Sequence, residues 1–436
     1  MSKTKFAKIL AATAAFVAIT CVLVPVAGAQ ANLKTLLAFT GDTTGFSPES
    51  NLIFDSAGNL YGTTGDTYDT AGDKVFELIP NSDGTWTENI LWSSAGGSEP
   101  YQIRAGVTWD SQGNLWSTGL YGGAHGCGQI FKLSPNDDGT WTYTDVLDFD
   151  CSGGGSDPCG GVIFDGDGNL YGTTSWGGTY NWGTVYELIP NPDGSWRQKI
   201  LHNFTSGKDG ENPGHGNLVF DAKGALYGNT AQGAEGNCQA WETGCGTVFK
   251  LSPNRNGTWT FTVIHSFTGG DDGGIPNSTM TFDKAGNLYG TTLGGGDFSC
   301  TNSVWGIVPG CGVVFKLIPG ADGKWTEKVL HTFKAAEDGA YAWGGVIFDS
   351  AGNMYGTTLG GGNTYCYYDG CGTVYELSPN SSGGMTERIL VRFNGYPLAG
   401  PYNSLVMDPR GNLYGTTSGE TTGTSENMGG VYELIR

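Results

Sequence analysis

The sequence predicts an all-β fold: a seven-bladed β-propeller of four-stranded antiparallel blades, closed by pairing the N-terminal strand with the C-terminal blade. Three observations predict it. A phrase resembling VIFDSAGNLYGTT recurs seven times. Each copy opens a unit of four strand-like runs, except the last unit, which has three. A run at the start of the mature chain matches the missing one, so that the ring closes without open sheet edges.

The first thirty residues have the features of a targeting segment. Lys3, Lys5 and Lys8 precede an uncharged apolar run from Ile9 to Val26, and small-residue cleavage patterns follow it. This pattern is typical of a secretory signal peptide over residues 1–29, with cleavage after residue 29 or 31. A transmembrane anchor is the alternative, because the run is barely long enough to span a bilayer. We expect a secreted, extracellular or periplasmic protein with no membrane contact after cleavage, and one propeller domain over residues 33–436.

Charge and composition narrow the classes of partner. The formal net charge is −20, with 75 glycines and 12% aromatic residues. Phosphate binding needs clustered Lys and Arg, so this acidity argues against nucleic acid and against anionic membranes. The aromatic content exceeds that of disordered glycine-rich chains and indicates a folded protein with many tight turns.

Within each unit, four runs can be read as strands. A short apolar run ends at an aspartate, and a turn rich in Gly and Asn leads to LYGTT, whose residue types favour a strand. TVYELIP from Thr184 exemplifies the third run, and WRQKILHNF from Trp196 the fourth. The last unit stops at its third run, whereas LKTLLAFTG from Leu33 matches a fourth run. A β-solenoid is the alternative, but it would not need this split unit.

The seven repeat aspartates are spaced 55 to 66 residues apart. They are Asp55, Asp110, Asp165, Asp221, Asp283, Asp349 and Asp408. One interpretation is an acidic ring that binds calcium. The other is that each carboxylate caps its own hairpin in an Asx-type turn, which explains why every unit carries one. We favour the capping interpretation.

The phrase GNLYGTT, followed by a glycine-rich loop and then GTVFKL or GTVYEL, resembles the tandem repeat of bacterial exported proteins called GloVer-containing. The resemblance covers residues 33–436. It implies an exported repeat protein and brings no established activity that could be assigned to a residue here. Members of that family have various C-terminal anchors, whereas this chain ends at Arg436 without a hydrophobic tail. We therefore expect release outside the cell.

Cysteine spacing predicts local disulfides in an exported chain. The predicted pairs are Cys151 with Cys159, Cys238 with Cys245, Cys300 with Cys311, and Cys366 with Cys371. Cys127 occupies the same repeat position as Cys245, Cys311 and Cys371 but has no upstream mate. It either competes for Cys151 or Cys159 or stays free. The spacings are not those of zinc sites.

Two sets of fourth-strand residues are interpreted as packing residues. His202, His265 and His331 lie at equivalent points in different blades, so their rings cannot converge to the ~2 Å metal-ligand distance. The tryptophans at the starts of these strands are interpreted as packing between blades. They are Trp86, Trp141, Trp196, Trp259 and Trp325. No metal site and no cofactor is predicted.

The loops after second and fourth strands are long, variable and predicted to emerge on one face. Their non-repeating aromatics are the predicted ligand-binding residues, because Trp and Tyr offer rigid contact area and sugar rings stack on them. These residues are Trp176, Tyr180, Trp182, Trp241, Trp305, Tyr341, Trp343, Tyr365, Tyr367 and Tyr368. A recognition module for a polysaccharide or a cell-surface protein is the leading hypothesis.

Two other functions remain open at this stage. Acidic loop residues would suit a glycoside hydrolase or lyase, which needs two carboxylates about 5–10 Å apart. These acids are Glu99, Asp157, Asp209, Glu211, Glu235, Glu242, Asp297, Glu337 and Asp338. A structural envelope protein is the third possibility. Since no catalytic motif is present, no catalytic residue is assigned.

Overall fold

The repeat units form seven antiparallel sheets arranged as the blades of a β-propeller, as predicted. The computed structural model describes residues 32–41, 44–65, 72–214, 216–234, 238, 244–300, 309–335, 338–362, 366, 370–419 and 428–436. The predicted signal peptide lies outside these residues. Nowhere in the described ranges is there a helix long and apolar enough to span a bilayer.

Thirty strands are assigned within the described ranges. The N-terminal strand and blades 1 to 3 comprise β1 (Asn32–Ala38), β2 (Ile53–Phe54), β3 (Leu60–Thr64), β4 (Lys74–Pro80), β5 (Trp86–Ser93), β6 (Thr108–Trp109), β7 (Leu115–Gly119), β8 (Gln129–Pro135), β9 (Trp141–Asp148), β10 (Ile163–Phe164), β11 (Leu170–Thr174), β12 (Thr184–Pro190) and β13 (Trp196–Asn203). Blades 4 to 7 comprise β14 (Glu211–Pro213), β15 (Val219–Phe220), β16 (Leu226–Gln232), β17 (Thr247–Pro253), β18 (Trp259–Ser266), β19 (Gly274–Pro276), β20 (Thr281–Phe282), β21 (Leu288–Gly294), β22 (Val313–Pro319), β23 (Trp325–Thr332), β24 (Ile347–Phe348), β25 (Met354–Thr358), β26 (Thr373–Pro379), β27 (Met385–Arg392), β28 (Val406–Met407), β29 (Leu413–Thr417) and β30 (Gly430–Ile435).

Each blade is a meander in which consecutive strands pair, as in the order β10-β11-β12-β13. Blade 7 is the split blade, with the order β1-β30-β29-β28. Asn32 pairs with Ile435 and Ala38 with Gly430, with one register shift between Thr35 and Leu37. The N-terminal strand β1 therefore supplies the outermost strand of the last blade, as predicted.

A chain of hydrogen bonds links the segments that precede the innermost strands. The Ser404 amide donates to Oδ1 of Asn51 at 2.9 Å, and the Gly345 amide donates to Oγ of Ser404 at 2.8 Å. The Asn217 amide donates to Oγ1 of Thr279 at 2.9 Å. Because the first of these bonds joins the last blade to the first, the ring is closed at its centre as well as at its rim.

Neighbouring blades pack through aromatic pairs at all seven boundaries. In each pair, an aromatic at the end of one fourth strand meets the third-strand aromatic of the next blade, mostly edge to face. The pairs are Trp92–Phe131, Phe149–Tyr186, Phe204–Phe249, Phe267–Phe315, Phe333–Tyr375, Phe393–Tyr432 and Phe39–Phe76, with centroids 5.1 to 5.5 Å apart. Such pairs contribute about 0.5–1.5 kcal/mol each beyond their buried area.

The same aromatic rings explain the glycine in LYGTT. A Cβ added at Gly62 would lie 2.7 Å from Cζ of Phe76, and one at Gly356 would lie 2.3 Å from Oη of Tyr375. In both cases the glycine is the direct cross-strand partner of the aromatic residue. The second strand therefore keeps glycine where the third-strand ring lies across it.

Replacing Tyr375 by Phe should stabilise the protein. The hydroxyls of Tyr186, Tyr375 and Tyr432 are buried without a hydrogen-bond partner among the described residues, whereas other blades have phenylalanine at this position. An unpaired buried hydroxyl costs about 1–3 kcal/mol. We expect Tyr375→Phe to raise the free energy of unfolding in urea by about 1 kcal/mol. The reverse change, Phe76→Tyr, is the matched control and should lower it; a loss of stability in Tyr375→Phe would contradict this account.

Candidate functional site

The long connections lie together on one face, because the loop entering each blade pairs with the loop between that blade's second and third strands. Isolated bridges join Tyr101 to Tyr121 and Ser156 to Trp176. In blade 4, β14 pairs with β16 in the same way. We call this surface the long-loop face; the short turns occupy the opposite end of the blades.

The entering loops share a left-handed backbone position. Its φ angles lie between 48° and 60° at Ser47, Gln102, Asp157, Asn212, Ile275 and Tyr341. Non-glycine residues adopt this conformation rarely, at a cost on the order of 1 kcal/mol. Its recurrence in six blades shows that the chain must turn there. The turn brings residues just beyond it against the neighbouring blade.

The residues following this turn form a second ring above the hydrogen-bonded one. This ring, which we call the collar, comprises Glu49, Arg104, Cys159, Gly214, Asn277, Trp343 and Tyr402. Nε of Arg104 lies 3.4 Å from Oε2 of Glu49, and the rings of Trp343 and Tyr402 are 4.5 Å apart. Unlike the strands, the collar does not repeat chemically. The collar can be recognised in the sequence only when the seven units are aligned at the second residue after the left-handed turn.

Blades 1 and 2 make the charged part of the collar, where Arg104 lies beside Glu49, and Cys159 of blade 3 follows them. Burial raises the pKa of Asp157 to about 6 and that of the Cys159 thiol to about 11. Burial, followed by the charge of Asp157, also raises the pKa of Tyr121. The opposite part, with Trp343 and Tyr402, is aromatic. The collar is therefore polar on one side and apolar on the other.

Four disulfides are present among the described residues, and one predicted pairing is wrong. Three predicted loop staples are found: Cys238–Cys245, Cys300–Cys311 and Cys366–Cys371. Cys151 bonds to Cys127, however, and Cys159 is a buried free thiol. The left-handed turn at Asp157 carries Cys159 into the collar, away from Cys151. Four disulfides indicate an oxidising compartment, extracellular or periplasmic.

The predicted aromatic residues that the structure describes differ in exposure. Tyr341 and Trp343 are only 3% and 7% exposed, so they do not lie on the described surface. Tyr341 occupies the left-handed position, and Trp343 follows it into the collar. Five predicted residues lie outside the described residues: Trp241, Trp305, Tyr365, Tyr367 and Tyr368. Trp176, Tyr180 and Trp182 remain.

These three aromatics lie on the blade 3 loop, and we call them the aromatic platform. Trp176 is 39% exposed and Tyr180 is 56% exposed, whereas Trp182 is half-buried and packs against the core between blades 3 and 4. The rings of Trp176 and Trp182 lie 5.8 Å apart at an interplanar angle of 38°. Large exposed aromatic side chains are a feature of recognition sites.

Hydrogen bonds at both ends hold the platform loop. The Trp176 amide and carbonyl pair with those of Ser156 at 3.1 and 2.9 Å. The Thr179 amide donates to Oδ1 of Asn203 at 2.8 Å, and the Gly177 amide donates to Oδ1 of Asn181 at 3.2 Å. The loop is fixed before any ligand arrives, which lowers the entropic cost of binding.

Most of the acidic loop residues in the described ranges stabilise turns. Glu99 accepts from the Ala95 amide, Asp297 from Ser299, Asp338 from Lys334 and Asp209 from Thr205. Asp157 and Glu211 are the two for which no such turn bond is found, and Glu211 is buried. Glu235, Glu242 and Glu337 lie outside the described residues. The acids therefore act mainly as caps.

The seven repeat aspartates lie on the opposite face, and the capping interpretation is confirmed. In Asp283, Oδ1 accepts from the amides of Ala285 and Asn287, while Oδ2 accepts from Nδ2 of Asn287 and Oη of Tyr289, all within 2.9 Å. The two amide bonds recur at the other six aspartates. Both carboxylate oxygens of Asp283 therefore accept hydrogen bonds within its own hairpin.

The fourth-strand histidines lie at separate blade boundaries, as expected, but they also contact carboxylates. Nε2 of His202 lies 3.0 Å from Oδ2 of Asp209. Burial raises the pKa of Glu327 and of Glu387 to about 7, and these two carboxylates lie near His265 and His331. Glu327 and Glu387 were not predicted to lie near the histidines, because each belongs to the fourth strand of the next blade. The fourth-strand tryptophans pack between blades as predicted; Trp325, for example, meets Tyr227 edge to face.

Comparisons with known proteins bear on the repeat and the fold. The family model described as Gloeobacter/Verrucomicrobia repeat matches residues 138–304 and 239–436. No curated protein is significantly similar to the chain. One similar solved structure is a Thermus thermophilus protein described as a "putative oxidoreductase (glucose dehydrogenase)", which is 14% identical with a TM-score of 0.45. The match covers 93% of this chain and all of that one.

Proposed function

The chain belongs to the Gloeobacter/Verrucomicrobia repeat family, and we propose that it is an extracellular recognition module that binds a polysaccharide through the aromatic platform of blade 3. The observation that carries the proposal is the pair of exposed rings, Trp176 and Tyr180, on a loop fixed by its own hydrogen bonds. The four disulfides support an extracellular or periplasmic setting.

The chemistry of the platform suits a sugar better than a charged ligand. The apolar faces of pyranose rings stack on aromatic side chains, and Trp176 and Trp182 provide two rings in contact. The platform loop also pairs with the backbone of Asp157, whose carbonyl accepts a hydrogen bond from the Ser175 amide at 3.0 Å. Stacking on these rings supports binding of a neutral or weakly charged glycan.

Binding is favoured over hydrolysis because most of the described loop acids serve the fold. A glycosidase needs two carboxylates about 5–10 Å apart at the sugar, one of them free to donate a proton. Asp209, Asp297 and Asp338 instead accept hydrogen bonds from their own loops.

Replacing Trp176 by Ala should weaken glycan binding. Loss of an exposed stacking residue at the centre of a site costs on the order of 2 kcal/mol, which corresponds to roughly a 30-fold loss of affinity. The measurement is binding to a glycan array, followed by titration with the best ligand. Because Trp176 is exposed, the variant should keep the wild-type melting temperature.

Phe298→Ala is the matched control. Phe298 is 52% exposed in the corresponding loop of blade 5, so its removal should leave glycan affinity unchanged. Equal affinities of wild type and Trp176→Ala would disprove the platform as the site. Release of reducing sugar by the wild type would instead show that the protein is an enzyme. If the protein binds no glycan on the array but binds a cell-surface protein, the ligand is a protein and not a polysaccharide.

A further inference from the structure

Two clusters of identical composition lie at neighbouring blade boundaries. Each combines a histidine from one fourth strand, an aspartate from the loop that follows it, and a glutamate from the fourth strand of the next blade. They are His265, Asp272 and Glu327 between blades 4 and 5, and His331, Asp338 and Glu387 between blades 5 and 6. At each of these boundaries, two adjacent blades thus place the same three ligand types together.

The spacing of the ligand atoms fits a metal ion. Nε2 of His331 lies 3.1 Å from Oδ2 of Asp338 and 3.5 Å from Oε1 of Glu387. In both clusters all ligand atoms lie within 4.8 Å of one another. Tetrahedral Zn²⁺ with bonds of about 2.0–2.1 Å separates its ligand atoms by about 3.3 Å. Small side-chain adjustments would bring each set to that geometry.

Hydrogen bonding accounts for only part of the clusters, such as the contact of His331 with Asp338 at 3.1 Å. Nε2 of His265 is buried without a hydrogen-bond partner among the described residues, and it lies 4.0 Å from Oε2 of Glu327. Oε1 of Glu327 and Oε1 of Glu387 are likewise buried without a hydrogen bond. Unpaired buried polar atoms are costly. A cation in each cluster would contact the unpaired atoms of that cluster.

We propose that each cluster binds one divalent transition-metal ion, represented by Zn²⁺, through one imidazole nitrogen and two carboxylate oxygens. This ligand set is of the kind that zinc accepts, and three protein ligands leave a fourth position for water. Each ion would join two blades and the connection between them, at the edge of the long-loop face. The proposal does not depend on glycan binding.

The repeat supplies two incomplete versions of the site. At the boundary of blades 3 and 4, His202 and Asp209 are present, but Phe261 takes the place of the glutamate and stacks on the His202 ring at 3.7 Å. At the boundary of blades 7 and 1, Glu88 occupies the glutamate position, and the strand register puts Leu37 where the histidine would be. Neither boundary has all three ligands, so neither should bind a metal ion.

The test is calorimetric titration of tag-free, chelator-treated protein with Zn²⁺. Wild type should bind two equivalents at the clusters. His265→Gln and His331→Gln should each lose one equivalent, and the double variant should lose both. Glu327→Gln, which preserves side-chain shape, should also lose one, so the result does not depend on histidine replacement alone. His202→Gln is the matched control and should bind as wild type does.

Two results would overturn the proposal. One is the absence of stoichiometric Zn²⁺ binding by the wild type, which would mean that the clusters are carboxylate–histidine contacts only. The other is an unchanged stoichiometry in the folded double variant, which would place bound Zn²⁺ elsewhere. Circular dichroism of each variant without metal verifies that the propeller is folded.

Discussion

Deletion of residues 32–38 should prevent the chain from forming a stable monomer. Without β1, the edge of β30 is exposed, and Val431, Tyr432 and Leu434, which are fully buried in the closed ring, lose their cover. Open hydrophobic edges pair with other chains. We expect aggregation or dimerisation in size-exclusion chromatography and loss of the cooperative thermal transition that the closed ring should show.

The loss extends beyond one sheet. Leu36 and Leu37 of β1 pack against the cluster that contains Phe39 and Phe76, which joins blade 7 to blade 1. Removing β1 therefore weakens a boundary between blades as well as a row of backbone hydrogen bonds. Burial of a single leucine side chain contributes about 1.5–3 kcal/mol, against a typical total stability of about 5–15 kcal/mol.

A circular permutant is the matched control. In blade 1 the third and fourth strands are joined by the turn Asn81–Thr85, which closes with a 2.8 Å hydrogen bond from the Asn81 amide to the Thr85 carbonyl. Inserting this turn between Arg436 and Ala31, and starting the chain at Phe39, gives blade 7 its own continuous hairpin. The permutant should be monomeric and folded. A stable monomeric deletion variant would show that the ring does not need its closing strand.

The architecture was predictable because the strands repeat, and the platform residues were predictable because they are aromatics outside the repeat. The collar was not predictable, because its residues do not repeat. Period and turn chemistry locate every blade, and a three-stranded last unit implies the closing strand. The collar residues Glu49, Arg104 and Trp343 share a structural position but no chemistry. They follow the left-handed turn, and no residue type marks that turn, since Ser, Gln, Asp, Asn, Ile and Tyr all adopt it.

The disulfide error has the same origin. In each of three disulfides, both cysteines lie in the same loop, so a short separation in sequence predicts these pairs well. Cys127 and Cys151, 24 residues apart, lie in two different loops of blade 2 that the sheet brings to one edge. Cys159 is closer to Cys151 in sequence but lies beyond the turn at Asp157. Backbone direction, which spacing does not reveal, decides the pairing.

Replacing Phe333 by Ala should cause a large loss of stability. Phe333 is fully buried and meets Tyr375 of the next blade edge to face at 5.2 Å. Truncating a buried phenylalanine costs about 3–5 kcal/mol, because apolar contact is lost and a cavity remains. We expect a decrease of that size in the free energy of unfolding, measured by urea titration followed by tryptophan fluorescence.

Phe298→Ala controls for the chemical change, since that ring is half exposed and its loss should cost less than about 0.5 kcal/mol. The shape of the transition carries further information. In a linear repeat array, a weakened interface allows one end to unfold separately. In a closed ring each blade has two neighbours, so Phe333→Ala should shift a single cooperative transition. Separate unfolding of blades 5 and 6 would mean that the boundaries, and not the closed ring, set the cooperative unit.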